Sequence, residues 1–442
     1  MQRRLSDRFG HLGGATIDRL ERLGLRGPAL LTLLGFATGI VAGFGVLTFY
    51  RGIDVSARLI STVIAWLPLP HLVVPAIAVA IGLVTSWALS HYGTNDSPGE
   101  NIPEVMEVAK SRLGVLHLQP VSIKTLAAAV TLGSGGSVGA EGPVAVLGAA
   151  LGSRVGRLLR LSPERLHLLL ACGTAAGLSA AFGAPIAGAI FALEKLFGGF
   201  ETSALTPVVV ASVTGAAITR VGLGDDQVIR IPVQYSNPGG WALLFYGLVA
   251  VGAGVAGWLY NRTTWKVGDW SARWPRWVRV TLFALAVATL AHAFDGSLWG
   301  RGHSTLDLGQ VRTVGAEVLL ALCLAKILAT ALTLAGGGVG GVFTPTLVVG
   351  GAFGAAAGTA LALVLPSLHL EPVPFALVGM AAAVAAATHA PLTAFFMVLE
   401  MSGDYGLVAP LLIAGPIGYA VAKELYPESI YTEWTKRRAG GR

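Results

Sequence analysis

The chain has 442 residues, of which 54% are hydrophobic and only 12% charged, with a formal net charge of +7 and a mean hydropathy of +0.68. A soluble chain carries about twice that share of charge, so the composition excludes an ordinary soluble domain and points to an all-α polytopic membrane protein. The basic residues sit at the ends and in a few loops, as expected of membrane flanks rather than of a nucleic-acid-binding face.

Arg3, Arg4 and Arg8 precede the first apolar run, Pro28–Tyr50. The length of that run and the lack of a small-residue cleavage site argue against a cleaved signal peptide. Further apolar stretches follow at Leu72–Leu89, Ala204–Ile218, Trp241–Tyr260, Val280–Ala293 and Leu407–Ala422. A spanning helix takes about 20 apolar residues, so several of these are expected to be short, tilted or re-entrant. The loop Asn261–Arg279 holds Arg262, Lys266, Arg273, Arg276 and Arg279 among tryptophans and reads as an interface loop in contact with membrane lipids. Cys172 and Cys323 lie in apolar segments and read as packing residues rather than a disulfide or a metal site. Beyond Leu425 the chain offers too little length for a regulatory domain.

One stretch occurs twice. Lys124–Pro143 reads KTLAAAVTLGSGGSVGAEGP and Lys326–Pro345 reads KILATALTLAGGGVGGVFTP; they align without a gap, with half the positions identical. Each is an apolar helix that breaks into a glycine-rich run and restarts at a proline. Gly173–Glu194 and Gly379–Glu400 form a second pair, each with an Ala-Pro break and a Leu-Glu ending. The chain therefore divides into a segment 1–27, a first membrane repeat 28–222, a connector 223–238, a second membrane repeat 239–425 and a C-terminal helix and tail 426–442. Arg154, Arg157, Arg160 and Arg165 follow the restarted helix of the first repeat, whereas the equivalent loop around Pro366–Pro374 has no Lys or Arg. The positive-inside bias places these two loops on opposite sides and makes the repeat inverted. Both termini are expected in the cytoplasm, and the expected location is the plasma (inner) membrane.

Glycine-interrupted apolar segments at matching places in two halves point to a substrate site. A helix that starts inside a membrane presents free N–H groups and the positive end of its dipole, which attract an anion. The breaks Gly139–Pro143 and Gly341–Pro345 supply two such starts, converging from opposite sides. Glu141 is a carboxylate at membrane depth, and so a functional candidate. At a helix start it takes the place of an anion: ionised it blocks the site, protonated or swung aside it admits the anion. Lys124 and Lys326 open the two copies and, if buried, raise the local potential for anions; the bland reading is that both snorkel to the interface.

With these motifs in order, the chain resembles the CLC family of chloride channels and proton-coupled chloride exchangers over nearly all its length. The family's GREGP and GxFxP motifs match Gly139–Pro143 and Gly341–Pro345. Its GSGIP motif matches imperfectly at Gly99–Pro103, and Ser429-Ile430-Tyr431 resembles its tyrosine segment. The resemblance implies an inverted-repeat fold of tilted and broken helices, in a homodimer with one pore per subunit. It puts the subunit contact at the helices ending at Glu194 and Glu400 and those that follow. It implies Glu141 as the gate. It implies anion contacts at Gly142, Val342, Phe343 and Tyr431 and, from the third motif, at Glu100, Asn101 and Ile102.

Three positions depart from the family pattern. Glu100 stands where the family has an anion-binding serine, Ala140 replaces an arginine before the gate, and Lys195 stands where exchangers often carry an inner proton-accepting glutamate. Lys195 therefore favours passive or weakly proton-coupled transport of chloride, with no cofactor. The alternatives are an obligate proton/chloride antiporter, a relative selective for another anion such as fluoride or nitrate, and, more distantly, a sodium-coupled solute symporter. An enzyme is not expected: there is no HExxH motif.

Overall fold

Proline and glycine punctuate a chain that otherwise forms helix. The computed structural model describes residues 27–66, 73–94, 102–111, 114–199, 201–224, 240–294, 298, 311 and 313–439. The α-helices in order are α1 (Pro28–Ala65), α2 (Val74–Thr94), α3 (Ile102–Lys110), α4 (Leu118–Gly133), α5 (Glu141–Leu158), α6 (Pro163–Phe182), α7 (Pro185–Ala192) and α8 (Thr202–Leu223). They continue with α9 (Ala242–Ser271), α10 (Arg276–Ala293), α11 (Ala316–Ala335), α12 (Phe343–Val364), α13 (Pro372–Thr388), α14 (Pro391–Ser402), α15 (Val408–Leu425) and α16 (Ile430–Ala439). Proline opens α6, α7, α13 and α14, where its missing N–H costs nothing. A π-helical turn, Leu193–Phe197, extends α7.

Eight segments among the described residues are long and apolar enough to cross a membrane. The helix α1 has 38 residues, about 57 Å of length against a hydrocarbon core of roughly 30 Å, so it must tilt or extend beyond the core. It runs past the apolar stretch that ends at Tyr50, because Arg51, Asp54 and Arg58 all turn outward. The helices α7 and α14, of 8 and 12 residues, are too short to span, as the broken repeats imply.

The chain forms two compact units: residues 1–49, 101–125 and 143–226, and residues 50–100, 126–142 and 227–442. In the first unit α6 packs on α7 and α8 and is buried over 83% of its span; Cys172 lies inside it. In the second unit α13 is buried along its whole length from Pro372 to Thr388, the signature of a helix that is apolar all round. It packs against α9, α12, α14 and α15. Cys323 is buried in α11, and neither cysteine is in a disulfide.

Small residues let these helices touch through their backbones. A Cβ added at Gly379 of α13 would lie 2.2 Å from the Gly350 carbonyl oxygen of α12, and one at the equivalent Gly173 would lie 2.0 Å from the Gly148 carbonyl oxygen. The same close crossing thus occurs once in each unit, at matching places in the repeat. Gly379→Val is expected to destabilise the fold by about 1–3 kcal/mol or more through overpacking, read as a lower thermal unfolding midpoint in detergent. Gly268→Ala in α9, where an added Cβ meets nothing within 4 Å, should show no such loss.

Candidate functional site

The repeated segments meet in the second unit through hydrogen bonds that come in equivalent pairs. At the end of α4 the Gly136 N–H donates to the Thr131 carbonyl (2.9 Å), and at the end of α11 the Gly338 N–H donates to the Thr333 carbonyl (3.0 Å). Gly135 and Gly337 both adopt positive φ, at 94° and 105°, a conformation glycine takes without penalty. The Thr333 hydroxyl accepts from the Ser137 N–H and the Thr131 hydroxyl from the Val339 N–H, each at 3.1 Å. Gly139 and Gly341 then form an antiparallel bridge, in which each N–H donates to the other's carbonyl at 2.7 Å. The threonine hydroxyl bonds and the glycine bridge join one copy to the other, and every bond has its counterpart at the corresponding position, so a local twofold relates the two turns. The starts of α5 and α12 are brought together by it.

Side chains break this symmetry. Glu141, the first residue of α5, is 1% exposed, and its carboxylate reaches the start of α12. Its Oε1 accepts from the Phe343 N–H (2.5 Å) and the Thr344 N–H (3.1 Å), and its Oε2 accepts from the Thr344 hydroxyl (2.8 Å). A buried carboxylate is costly unless its oxygens are satisfied; here the free N–H groups and dipole of α12 supply both hydrogen bonds and positive potential. Bare backbone on both sides makes room for it. A Cβ at Gly139 would sit 2.1 Å from the Glu141 carboxylate oxygens, and one at Gly341 2.4 Å from Oε1.

Thr344 was not anticipated from the sequence. It aligns with Gly142 of the other copy, and a hydroxyl just before the helix-opening Pro345 is the one signal that marks it. Gly142 itself faces Gly341: a Cβ there would lie 3.1 Å from the Gly341 Cα. Val342 is buried immediately before α12.

The two lysines do not snorkel. Lys124 is 5% exposed and Lys326 0%, but their surroundings differ. Lys124 is ion-paired with Glu104 of α3, so its charge is locally offset. Lys326 donates to the Leu298 carbonyl at 3.3 Å, and among the described residues it has no carboxylate in salt-bridge contact.

Tyr431 is buried in the first turn of α16. A reciprocal cap holds that turn: the Ser429 N–H donates to the Thr432 hydroxyl (2.9 Å) and the Thr432 N–H to the Ser429 hydroxyl (3.2 Å), the arrangement of a capping box. Ile102 is buried at the start of α3, while Glu100 and Asn101 lie outside the described residues. Lys195 is half-buried on the π-helical turn after α7.

The chain belongs to the CLC family: residues 81–423 match its family model, described as voltage gated chloride channel. It is 37% identical over 357 residues to a putative chloride channel protein ClcB-like of Ralstonia nicotianae, covering 79% of this chain and 82% of that one. It is 30% identical over 426 residues to an H(+)/Cl(-) exchange transporter ClcA of Vibrio cholerae, covering 93% and 90%. Among solved structures, a slow cyanobacterial Cl-/H+ antiporter matches with a TM-score of 0.81 at 25% identity, covering 92% of this chain and 97% of that one. A CLC-type fluoride/proton antiporter matches at 0.69, again at 25% identity, covering 91% and 97%. The chain is thus an integral membrane protein of an anion-transporting family, with the CLC fold, and not an enzyme.

Gly341→Ala is expected to expel the Glu141 carboxylate from its seat, because the new Cβ claims the space of Oε1. A structure of the variant should show the contacts to Phe343 and Thr344 lost; a carboxylate still seated there would contradict the steric account.

Proposed function

We propose that this chain is a proton-coupled chloride exchanger, in which the Glu141 carboxylate and the anion compete for one set of α12 donors. The observation that carries the reading is the Glu141 carboxylate held by the Phe343 N–H and by the N–H and hydroxyl of Thr344. Ionised, the carboxylate fills the anion's place. Once protonated it gives up much of its attraction to the helix end, swings aside and carries its proton, while chloride takes the N–H groups. Return of the carboxylate expels the anion and releases the proton, which couples opposite movements of the two ions.

The passive reading that Lys195 suggested gives way here. Relatives over most of the chain are named as H(+)/Cl(-) exchange transporters, and the cyanobacterial neighbour is titled an antiporter. Lys195 then bears on the route of the proton and not on whether coupling occurs.

In this reading Gly142, Val342 and Phe343 offer backbone donors to the anion. Tyr431 offers a phenol, held in place by the cap at Ser429. The resemblance also assigns anion contacts to Glu100, Asn101 and Ile102. Lys326 supplies most of the positive potential, since the charge of Lys124 is answered by Glu104. The chain works as two inverted repeats, 28–222 and 239–425, with both termini in the cytoplasm of a plasma-membrane protein. It assembles as a homodimer through α7, α8, α14 and α15; exposed apolar residues on these helices, among them Ile186, Val213, Leu392 and Leu412, suit a partner surface.

Purified protein in liposomes tests the exchange directly. A chloride gradient should drive protons uphill in wild type. Glu141→Ala should pass chloride with no proton movement and with little dependence on pH. Chloride flux without protons in wild type would make the protein a passive pathway, and fluoride flux without chloride flux would move it to the fluoride-selective relatives.

A further inference from the structure

A cavity of about 150 Å³ lies between the end of α9, the α13–α14 junction and α16, all within the second unit. Its lining includes Trp258, Arg262, Lys266, Ser429 and Arg437, and none of it belongs to the Glu141 site. Three carboxylates also border it, and each is engaged. The Arg437 guanidinium donates to Asp269 and Glu433, both at 2.7 Å, while lying over the Trp265 ring at 4.6 Å. Glu433 accepts a second bond from the Tyr426 hydroxyl at 2.8 Å. Glu428 is paired with Lys436.

Arg262 and Lys266 are left over. They stand one turn apart on α9, an arrangement that is unfavourable for like charges. Neither makes a salt bridge with a carboxylate among the described residues, and the Arg262 guanidinium packs over the Trp258 ring at 5.4 Å. Two unanswered cations beside a cavity with an aromatic wall are complementary to a compact oxyanion, and arginine in particular matches phosphate oxygens in pairs.

We propose that this cavity binds a phosphate group through Arg262 and Lys266. The group comes either from free inorganic phosphate or from an anionic lipid headgroup. Ser429 lines the same cavity and caps α16, two residues before Tyr431. Occupancy therefore braces the start of α16, and its effect on transport rests on the role given above to Tyr431; the binding itself does not.

The test is calorimetry on the full-length protein in neutral detergent and saturating chloride, with inorganic phosphate and short-chain phosphatidylglycerol titrated separately. Saturable binding of at least one probe is expected. It should weaken roughly a hundredfold in Arg262→Gln/Lys266→Gln, which loses two charge-assisted contacts, and persist in Arg273→Gln, outside the cavity. The double variant should elute as wild type does in size exclusion and keep its chloride flux in the absence of phosphate. Binding of phosphate alone identifies the free ion, and binding of the lipid alone identifies a headgroup. Binding of neither, or equal binding by the double variant, overturns the proposal.

Discussion

A carboxylate from the start of one helix sits on the first N–H groups of another, and the rest of the site is arranged around that contact. Burying Glu141 at 1% exposure is tolerable only because α12 begins there with its donors unspent. Those donors are within reach only because Gly139 and Gly341 pair backbone to backbone with no side chain between them. That pairing in turn needs the left-handed turns at Gly135 and Gly337 and the threonine bonds that lock each turn to the opposite copy. Each link is local chemistry repeated at corresponding positions.

The repeat explains why the frame is symmetric and the function is not. The backbone uses the positions both copies share: threonine, glycine, proline. The site uses the positions where they differ. Glu141 aligns with Phe343, so one copy supplies the buried carboxylate and the other the backbone donors that hold it. The lysines diverge similarly: Lys124 found a carboxylate in Glu104, whereas Lys326 is buried against a carbonyl. The exchange proposed above needs this imbalance, since two equal carboxylates would repel each other and two bare helix ends would hold an anion without a switch.

Much of this was legible in the sequence, because internal repetition reports three-dimensional equivalence directly. The broken helices, the convergence of their starts and the buried carboxylate of Glu141 at one of them all follow from glycine, proline and one misplaced charge. Other features were hidden for definite reasons. The length of α1 was masked by Arg51, Asp54 and Arg58, which interrupt an apolar pattern without interrupting a helix whose outward face accepts them. The pairing of Lys124 with Glu104 joins residues twenty apart in sequence with no shared motif. Thr344 looked ordinary because its hydroxyl matters only once the opposing carboxylate is in place. Lys195 was read as evidence on coupling, yet a single position on the π-helical turn after α7 does not decide a property that depends on a whole proton route.

The most direct measurement is crystallographic: bromide soaked into wild type and into Glu141→Gln, located by its anomalous signal. If carboxylate and anion compete for one seat, bromide occupies the Phe343 and Thr344 N–H groups in the variant. In wild type at neutral pH the carboxylate should hold those groups instead. Bromide on those donors in wild type with the carboxylate still in place, or no bromide there in the variant, would contradict the account.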